Sequence, residues 1–161
     1  MKKLYTKKSS INGSGLFTYK NFSKGDFVAY ISGDIKVIKK FNYYLSENTI
    51  NWIGVGRFSW IDTTNSLFKF VNHSCDPNTA LISKRKVIAI KPIKAGDEIT
   101  LDYSLTECED EWSIPNCECG SKKCRNKITA LQHLPIDIFT TKKQYIPKNL
   151  VKTYYNLHNG A

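Results

Sequence analysis

Phe70-Val71-Asn72-His73-Ser74-Cys75-Asp76-Pro77-Asn78 decides how this chain of 161 residues is read. Taken alone, the stretch announces a turn. Asn, Ser and Asp bond their own backbone, and Pro fixes φ, so the cluster favours a loop over a helix or strand. A histidine in such company is more often structural than catalytic. The turn reading does not account for the ordered series downstream: Val87-Ile88-Ala89-Ile90, Pro92, Gly96-Asp97-Glu98 and Asp102-Tyr103. Working outward, Phe27-Val28-Ala29-Tyr30-Ile31 and 87–90 are apolar, β-branched or aromatic runs of strand length. Residues 98–103 alternate polar and apolar, as a half-exposed strand does. The segments 22–27 and 93–98 each enter a strand through a Gly-Asp turn, which is shared turn chemistry and not a repeat. Phe41, Tyr44, Leu45 and Asn48 predict a short helix over 39–49. In the tail, Pro147 suits a first helical position, Leu150, Val151, Tyr154, Leu157 and His158 keep a 3.6 period, and Gly160 ends it. The chain is therefore read as mainly β (α+β). It divides into a β-rich body at 4–105, a cysteine-bearing segment at 106–128 and a helical extension at 129–161, packed as one unit.

Five cysteines stand at 75, 108, 117, 119 and 124. An odd number, with no secretory signal at the N-terminus, argues against a disulfide framework. Three of them within eight residues have the look of metal ligands. Without a C-x-x-C pair, a thiol redox role has little support. The chain carries 24 Lys plus Arg against 14 Asp plus Glu, a net charge of +10 with no long basic run. Scattered surface lysines account for such a balance, and a nucleic-acid-facing surface is the sharper alternative. No apolar run is long enough to span a bilayer, so an intracellular protein, nuclear or cytoplasmic, is expected, with no membrane partner.

The segments FVNHSCDPN (70–78) and AIKPIKAGDEITLDYS (89–104) resemble the two C-terminal signature motifs of SET-domain protein-lysine methyltransferases. Upstream, Gly13-Ser14-Gly15-Leu16-Phe17 resembles that family's Gly-x-Gly turn. Downstream, Cys117-Glu118-Cys119-Gly120-Ser121-Lys122-Lys123-Cys124-Arg125 is similar to its post-SET C-x-C-x4-C pattern. The four motifs occur in the family's order over residues 4–128, with no cysteine-rich pre-SET segment before them. The resemblance implies a SET fold of small twisted β-sheets with a threaded, pseudoknot-like loop and a zinc-bound post-SET segment, followed here by a C-terminal helix. It implies S-adenosylmethionine as methyl donor and S-adenosylhomocysteine as product. It assigns the cofactor to Gly13, Ser14, Gly15, Leu16, Asn72, His73, Tyr103 and Ile128, with Asn72 acting through its side chain and His73 mainly through its backbone. It makes Tyr103 the catalytic residue, and Cys75, Cys117, Cys119 and Cys124 the four zinc ligands. Cys108 is left as a free or buried thiol.

The chemistry sets what such a site must do. Methyl transfer from a sulfonium to an amine is an in-line displacement, so most of the acceleration is positioning. A lysine amine in water titrates near ~10.4 and must first lose its proton, which an apolar channel and a nearby positive charge favour. An ordinary phenol titrates near ~10, so Tyr103 suits hydrogen bonding better than general-base work. The chain departs from the family at Lys69, where Arg is frequent, at Ile31, with Tyr30 one residue early, and at Leu101, where some members place an aromatic residue. These positions leave the number of methyl groups open. The expected substrate is a histone or another basic protein. Such a partner requires a local acidic groove on a basic chain, for which Glu107, Glu109, Asp110 and Glu111 are candidates, or docking on nucleic acid. The alternative reading is a catalytically inactive SET-like zinc scaffold that binds nucleic acid or protein.

Overall fold

The apolar run at 27–31 and the run at 87–90 meet in one sheet. In the computed structural model, which describes residues 3–38 and 50–158, strand β3 (Phe27–Tyr30) lies antiparallel to β9 (Lys86–Ala89). The other edge of β9 pairs with β8 (Thr79–Leu81). A second sheet, in the order β1-β2-β10-β7, is built from Leu4–Lys8, Ser14–Thr18, Glu98–Leu101 and Asn72–His73. A third, β4-β6-β5, holds Asp34–Val37, Ser59–Asp62 and Trp52–Gly56. The short pair β11 (Ser113–Ile114) and β12 (Ile128–Thr129) brackets the cysteine segment. The helix expected over 39–49 lies outside the described residues.

The two Gly-Asp turns are alike in detail. The Asp26 carboxylate accepts from the Ser23 N–H and that of Asp97 from the Lys94 N–H. Both turns need a residue at positive φ, 96° at Gly25 and 93° at Gly96, a region glycine enters without steric cost. Phe22 and Ile93 exchange backbone hydrogen bonds of 2.8 and 2.9 Å, so the turns sit side by side and tie the first two sheets together.

The strand expected over 98–103 stops at Leu101. Asp102 leaves the ladder, and its carboxylate accepts the Ser104 N–H to cap a 3-10 helix at Tyr103–Leu105. A cap of this kind satisfies a helix-end donor that a continued strand would not offer.

Leu16, Val28, Val55, Ile61, Val87 and Ile99 belong to the core under the three sheets. A second core joins Leu105 and Cys108 to Leu131, Leu134, Phe139, Ile146, Leu150 and Tyr154. It holds α1 (Ile136–Lys142) and α2 (Lys148–His158). In α2 the 3.6 period buries Leu150 and Tyr154, while Leu157 remains partly exposed. Pro147 precedes the helix by one residue, its carbonyl accepting the N–H groups of Leu150 and Val151. The Phe139 and Tyr154 rings stack at 3.6 Å, and the Asn149 amide donates to the Val55 carbonyl across the two cores. Among the described residues, no helix is long and apolar enough to cross a membrane.

Candidate active site and cysteine cluster

Strand β10 brings the separate motifs together. On one side it runs antiparallel to β2, with Ile99 opposite Leu16. On the other it runs parallel to β7, with Thr100 opposite Asn72 and Leu101 opposite His73. The Gly13–Leu16 turn and the Asn72-His73 pair therefore flank one strand, and Tyr103 lies just beyond its end. Asn78 fixes this register, since its amide donates to the Glu98 carbonyl and its oxygen accepts the Thr100 N–H.

The Asn72 amide points at the turn. It donates to the carbonyls of Asn12 at 3.1 Å and Ser14 at 3.4 Å, and to the Glu98 carboxylate at 2.7 Å. Glu98 also accepts from the Ser9 hydroxyl with both oxygens. Glycine is the residue type that fits at position 15, because a Cβ there would collide with that carboxylate. Sequence alone does not single out Glu98, which reads as the polar half of an alternating strand; its one signal is the Asp97-Glu98 step directly after the turn glycine. Leu16 is fully buried, so only its backbone faces the turn. Ile128 is also buried, in register with Ile114, and acts in this structure as a packing residue. Two surface cavities, of about 390 Å³ beside Cys108 and His133 and about 460 Å³ beside Lys143 and Val151, include none of these residues.

Tyr103 is anchored at both ends. Its hydroxyl donates to the Val71 carbonyl at 2.6 Å, and its backbone N–H donates to His73 Nδ1 at 3.2 Å. Burial pushes the phenol well above the usual tyrosine range, and the Glu98 carboxylate pushes it further. Tyr103 therefore stays protonated. Burial also lowers His73 to about 4, keeping its ring neutral. A neutral imidazole that accepts at Nδ1 carries its proton on Nε2. That nitrogen lies 3.2 Å from Cys75 Sγ, so His73 donates to the sulfur.

Around Cys75 the remote cysteine segment converges. Ligand atoms of His73, Cys75, Cys117 and Cys119 all lie within 4.8 Å of one another. Cys75 and Cys117 sulfurs are 3.8 Å apart, close to the separation of about 3.8 Å that Zn–S bonds of ~2.3 Å give in a tetrahedron. Cys124 stands at the rim. Its sulfur lies 3.2 Å from the Cys117 carbonyl and accepts the Asn126 N–H. Burial opposes ionisation of Cys119, but N–H groups of Cys75 and Ser121 outweigh it and bring the thiol down to about 7. Burial raises Cys75 and Cys117. A cation bound among these sulfurs would reverse that. The donor set fits zinc: soft thiolates, a Cys75–Cys117 pair at the tetrahedral separation, and backbone N–H groups aimed at sulfur. Cys108 lies apart in the second core, where burial and then Glu107 push its thiol up to about 12.

Asp102 is a node in the same region. Its buried carboxylate accepts two bonds from the Arg125 guanidinium, at 2.6 and 2.8 Å, and one from the Lys142 ammonium at 2.6 Å. Burial works against its charge, yet these cations hold it below the usual carboxylate value. Glu107, expected in an acidic groove, is turned inward instead. It is buried and accepts from Trp60 Nε1 and from the N–H groups of Cys108 and Glu109. Glu109 and Asp110 stay nearer the surface, with Asp110 bonded to His133.

Comparison with known proteins gives the family. Two similar chains are the histone-lysine N-methyltransferase trithorax of Drosophila virilis, 32% identical over 138 residues, and histone-lysine N-methyltransferase 2B of Homo sapiens, 31% identical over 134. Each match covers 73% of this chain, which spans only 3% and 5% of those relatives. The crystal structure of KRYPTONITE in complex with mCHG DNA and S-adenosylhomocysteine superposes with a TM-score of 0.59 at 20% identity. That match covers 78% of this chain and 28% of the other, a likeness of fold. The SET-domain family model matches residues 13–104, more than half of the chain, which takes in the Gly-x-Gly turn, Asn72-His73 and Tyr103. The chain belongs to the SET-domain family.

Proposed function

We propose that this chain is an S-adenosylmethionine-dependent protein-lysine N-methyltransferase, acting on a histone or other basic protein and releasing S-adenosylhomocysteine. The observation that carries the reading is the convergence on β10 of the Gly13–Leu16 turn, the Asn72-His73 pair and an anchored, protonated Tyr103. S-adenosylmethionine supplies the electrophilic methyl, on a sulfonium. The turn backbone of Gly13, Ser14, Gly15 and Leu16, the Asn72 amide and the His73 backbone bind the cofactor. Tyr103 holds its hydrogen toward Val71, so the lone pairs of its oxygen are free to face the methyl and the incoming amine. With its phenol raised by burial, it orients the amine and does not abstract the amine's proton. Cys75, Cys117, Cys119 and Cys124 are the proposed zinc ligands, because a His73 ring that donates from Nε2 cannot also ligate through it. Zinc would cross-link the 117–124 segment to the NHSC loop. Ile128 is proposed beside the cofactor only if the β11–β12 pair opens. Relatives named histone-lysine N-methyltransferases support a histone as the substrate, and the basic net charge suits the nucleic acid that histones carry.

Transfer from tritiated S-adenosylmethionine to histones, ribosomal proteins and other basic chains tests this. Wild type is expected to label lysine in at least one of them, and Tyr103→Phe to lose about 100-fold or more of that rate. A wild type that binds cofactor but labels no lysine overturns the proposal.

A further inference from the structure

We propose that Lys142, on α1 of the C-terminal extension, is a positioning residue for methyl transfer that locks the cysteine cluster to the residue preceding Tyr103. The inference rests on the proposed methyltransferase site and its zinc cluster. The Lys142 ammonium makes two bonds, one to Asp102 Oδ2 at 2.6 Å and one to the Cys75 carbonyl at 2.9 Å. A single side chain thus spans the step into the 3-10 helix of Tyr103 and the backbone of a proposed ligand.

The surroundings explain why a cation is needed there. The Asp102 side chain is fully buried, and Arg125 alone would balance its charge. Four thiolates around a divalent zinc leave an excess of negative charge, and Cys75 is the cysteine tied to Asp102 in this network, through Arg125 and Lys142. The Arg125 N–H donates to Cys75 Sγ at 3.3 Å while its guanidinium is held by Asp102. Lys142 supplies the second positive charge to this pair of anionic centres. An exposed ion pair is worth little, but the Lys142 side chain is only 21% exposed and its acceptor not at all. The second core sets its position: Phe139, one turn earlier on α1, is completely buried against Tyr154. The extension thereby reaches the chemistry through one ammonium group.

The test uses the full zinc-loaded chain. Three variants are compared with wild type: Lys142→Met, Lys142→Arg, and Ile138→Ala as a control that loosens the same helix without touching Asp102. Zinc release to a chromophoric chelator and kcat against KM for cofactor and protein substrate are measured. Lys142→Met is expected to release zinc about tenfold faster and to lose about tenfold in kcat, with both KM values within about threefold. Lys142→Arg should restore both, and Ile138→Ala should lower Tm while leaving both near wild type. Unchanged zinc release and kcat in Lys142→Met, no rescue by Arg, or equal losses in Ile138→Ala would each overturn the proposal. If Lys142→Met does not fold, the same readouts on Lys142→Gln, which keeps a donor without the charge, decide by the same criteria. A wild type that holds no zinc and transfers no methyl defeats the underlying site reading, a result distinct from failure at Lys142 alone.

Discussion

A phenol can serve a lysine amine by taking its proton or by orienting it, and the surroundings of Tyr103 suit the second, which is the role proposed for it. Its hydroxyl is committed as a donor to Val71, and burial keeps it protonated. Replacing it with Phe should therefore cost about 100-fold or more in kcat while calorimetric cofactor affinity changes little. The pH–rate profile should rise with deprotonation of the substrate amine and show no separate break from Tyr103 near pH ~10. The residue before it titrates in the opposite sense. Asp102 is held below the unfolded carboxylate value of ~3.9 by Arg125 and Lys142, despite its burial. A depressed folded value means that its stabilisation is present above about pH 4 and is lost as pH falls through the folded value. Thermal melts should hold level from neutral pH down to about 5 and then decline. Asp102→Asn should be less stable at pH 7, by about 3–5 kcal/mol, because two cations lose their partner, and it should lack the acid decline due to this group. A decline of equal size in Asp102→Asn would assign the acid limb elsewhere.

At the scale of elements, the turn at Gly13–Gly15 works because β10 carries Glu98 beneath it. Gly15→Ala places a methyl against that carboxylate and must displace it from Asn72 and Ser9. Cofactor affinity measured by calorimetry should fall by about tenfold, with the melting temperature only slightly lower. Strands β3, β9 and β10 and helix α2 are legible in the sequence because each depends on a local pattern: apolar runs, alternation, a 3.6 period. Local pattern cannot supply the partner that redirects a residue. Asp102 ends its strand because Ser104 and Arg125 are waiting for its carboxylate, and Arg125 is 23 residues away. Glu98 reads as a solvent-side strand residue because nothing nearby in sequence indicates Ser9 or Asn72. Glu107 reads as part of an acidic surface because its neighbours are acidic, whereas Trp60, far along the chain, draws it inside. That contact has a consequence of its own. Two backbone N–H groups and an indole N–H all donate to this carboxylate, so Glu107→Gln turns one acceptor into a donor facing a donor. A loss of about 1–3 kcal/mol in denaturant unfolding is expected, and an unchanged stability would show that the side chain reorients.

For the whole molecule, the question is what holds the 106–128 segment against the body. Its own structure is a two-residue strand pair and a set of turns, with little apolar burial between Trp112 and Lys127. Glu107, bonded to Trp60, and the buried Cys108 hold its first residues, and between Trp112 and Lys127 the Asp102–Arg125 pair and the cysteine cluster supply the attachment, the cluster being the stronger if it holds zinc. The motif spacing indicates which cysteines lie close in sequence, but not that His73 comes as near to Cys75, Cys117 and Cys119 as a ligand does. The hydrogen bond from the Tyr103 N–H to His73 Nδ1 favours Cys124 over His73 as the proposed fourth ligand, since it leaves Nε2 protonated and facing sulfur. Elemental analysis of the purified chain should find one zinc per molecule. Cys124→Ser should lose it, and His73→Asn should keep it, although with a more weakly held Cys75. A strong chelator should lower the melting temperature, expose the 109–127 region to limited proteolysis before the rest of the chain, and abolish methyl transfer, and added zinc should restore all three. Zinc retained by Cys124→Ser and lost by His73→Asn would instead make His73 the fourth ligand and require its ring to release the Tyr103 N–H. Absence of zinc, with transfer unaffected by chelation, would leave the Asp102–Arg125 pair as the principal tie between residues 112–127 and the body.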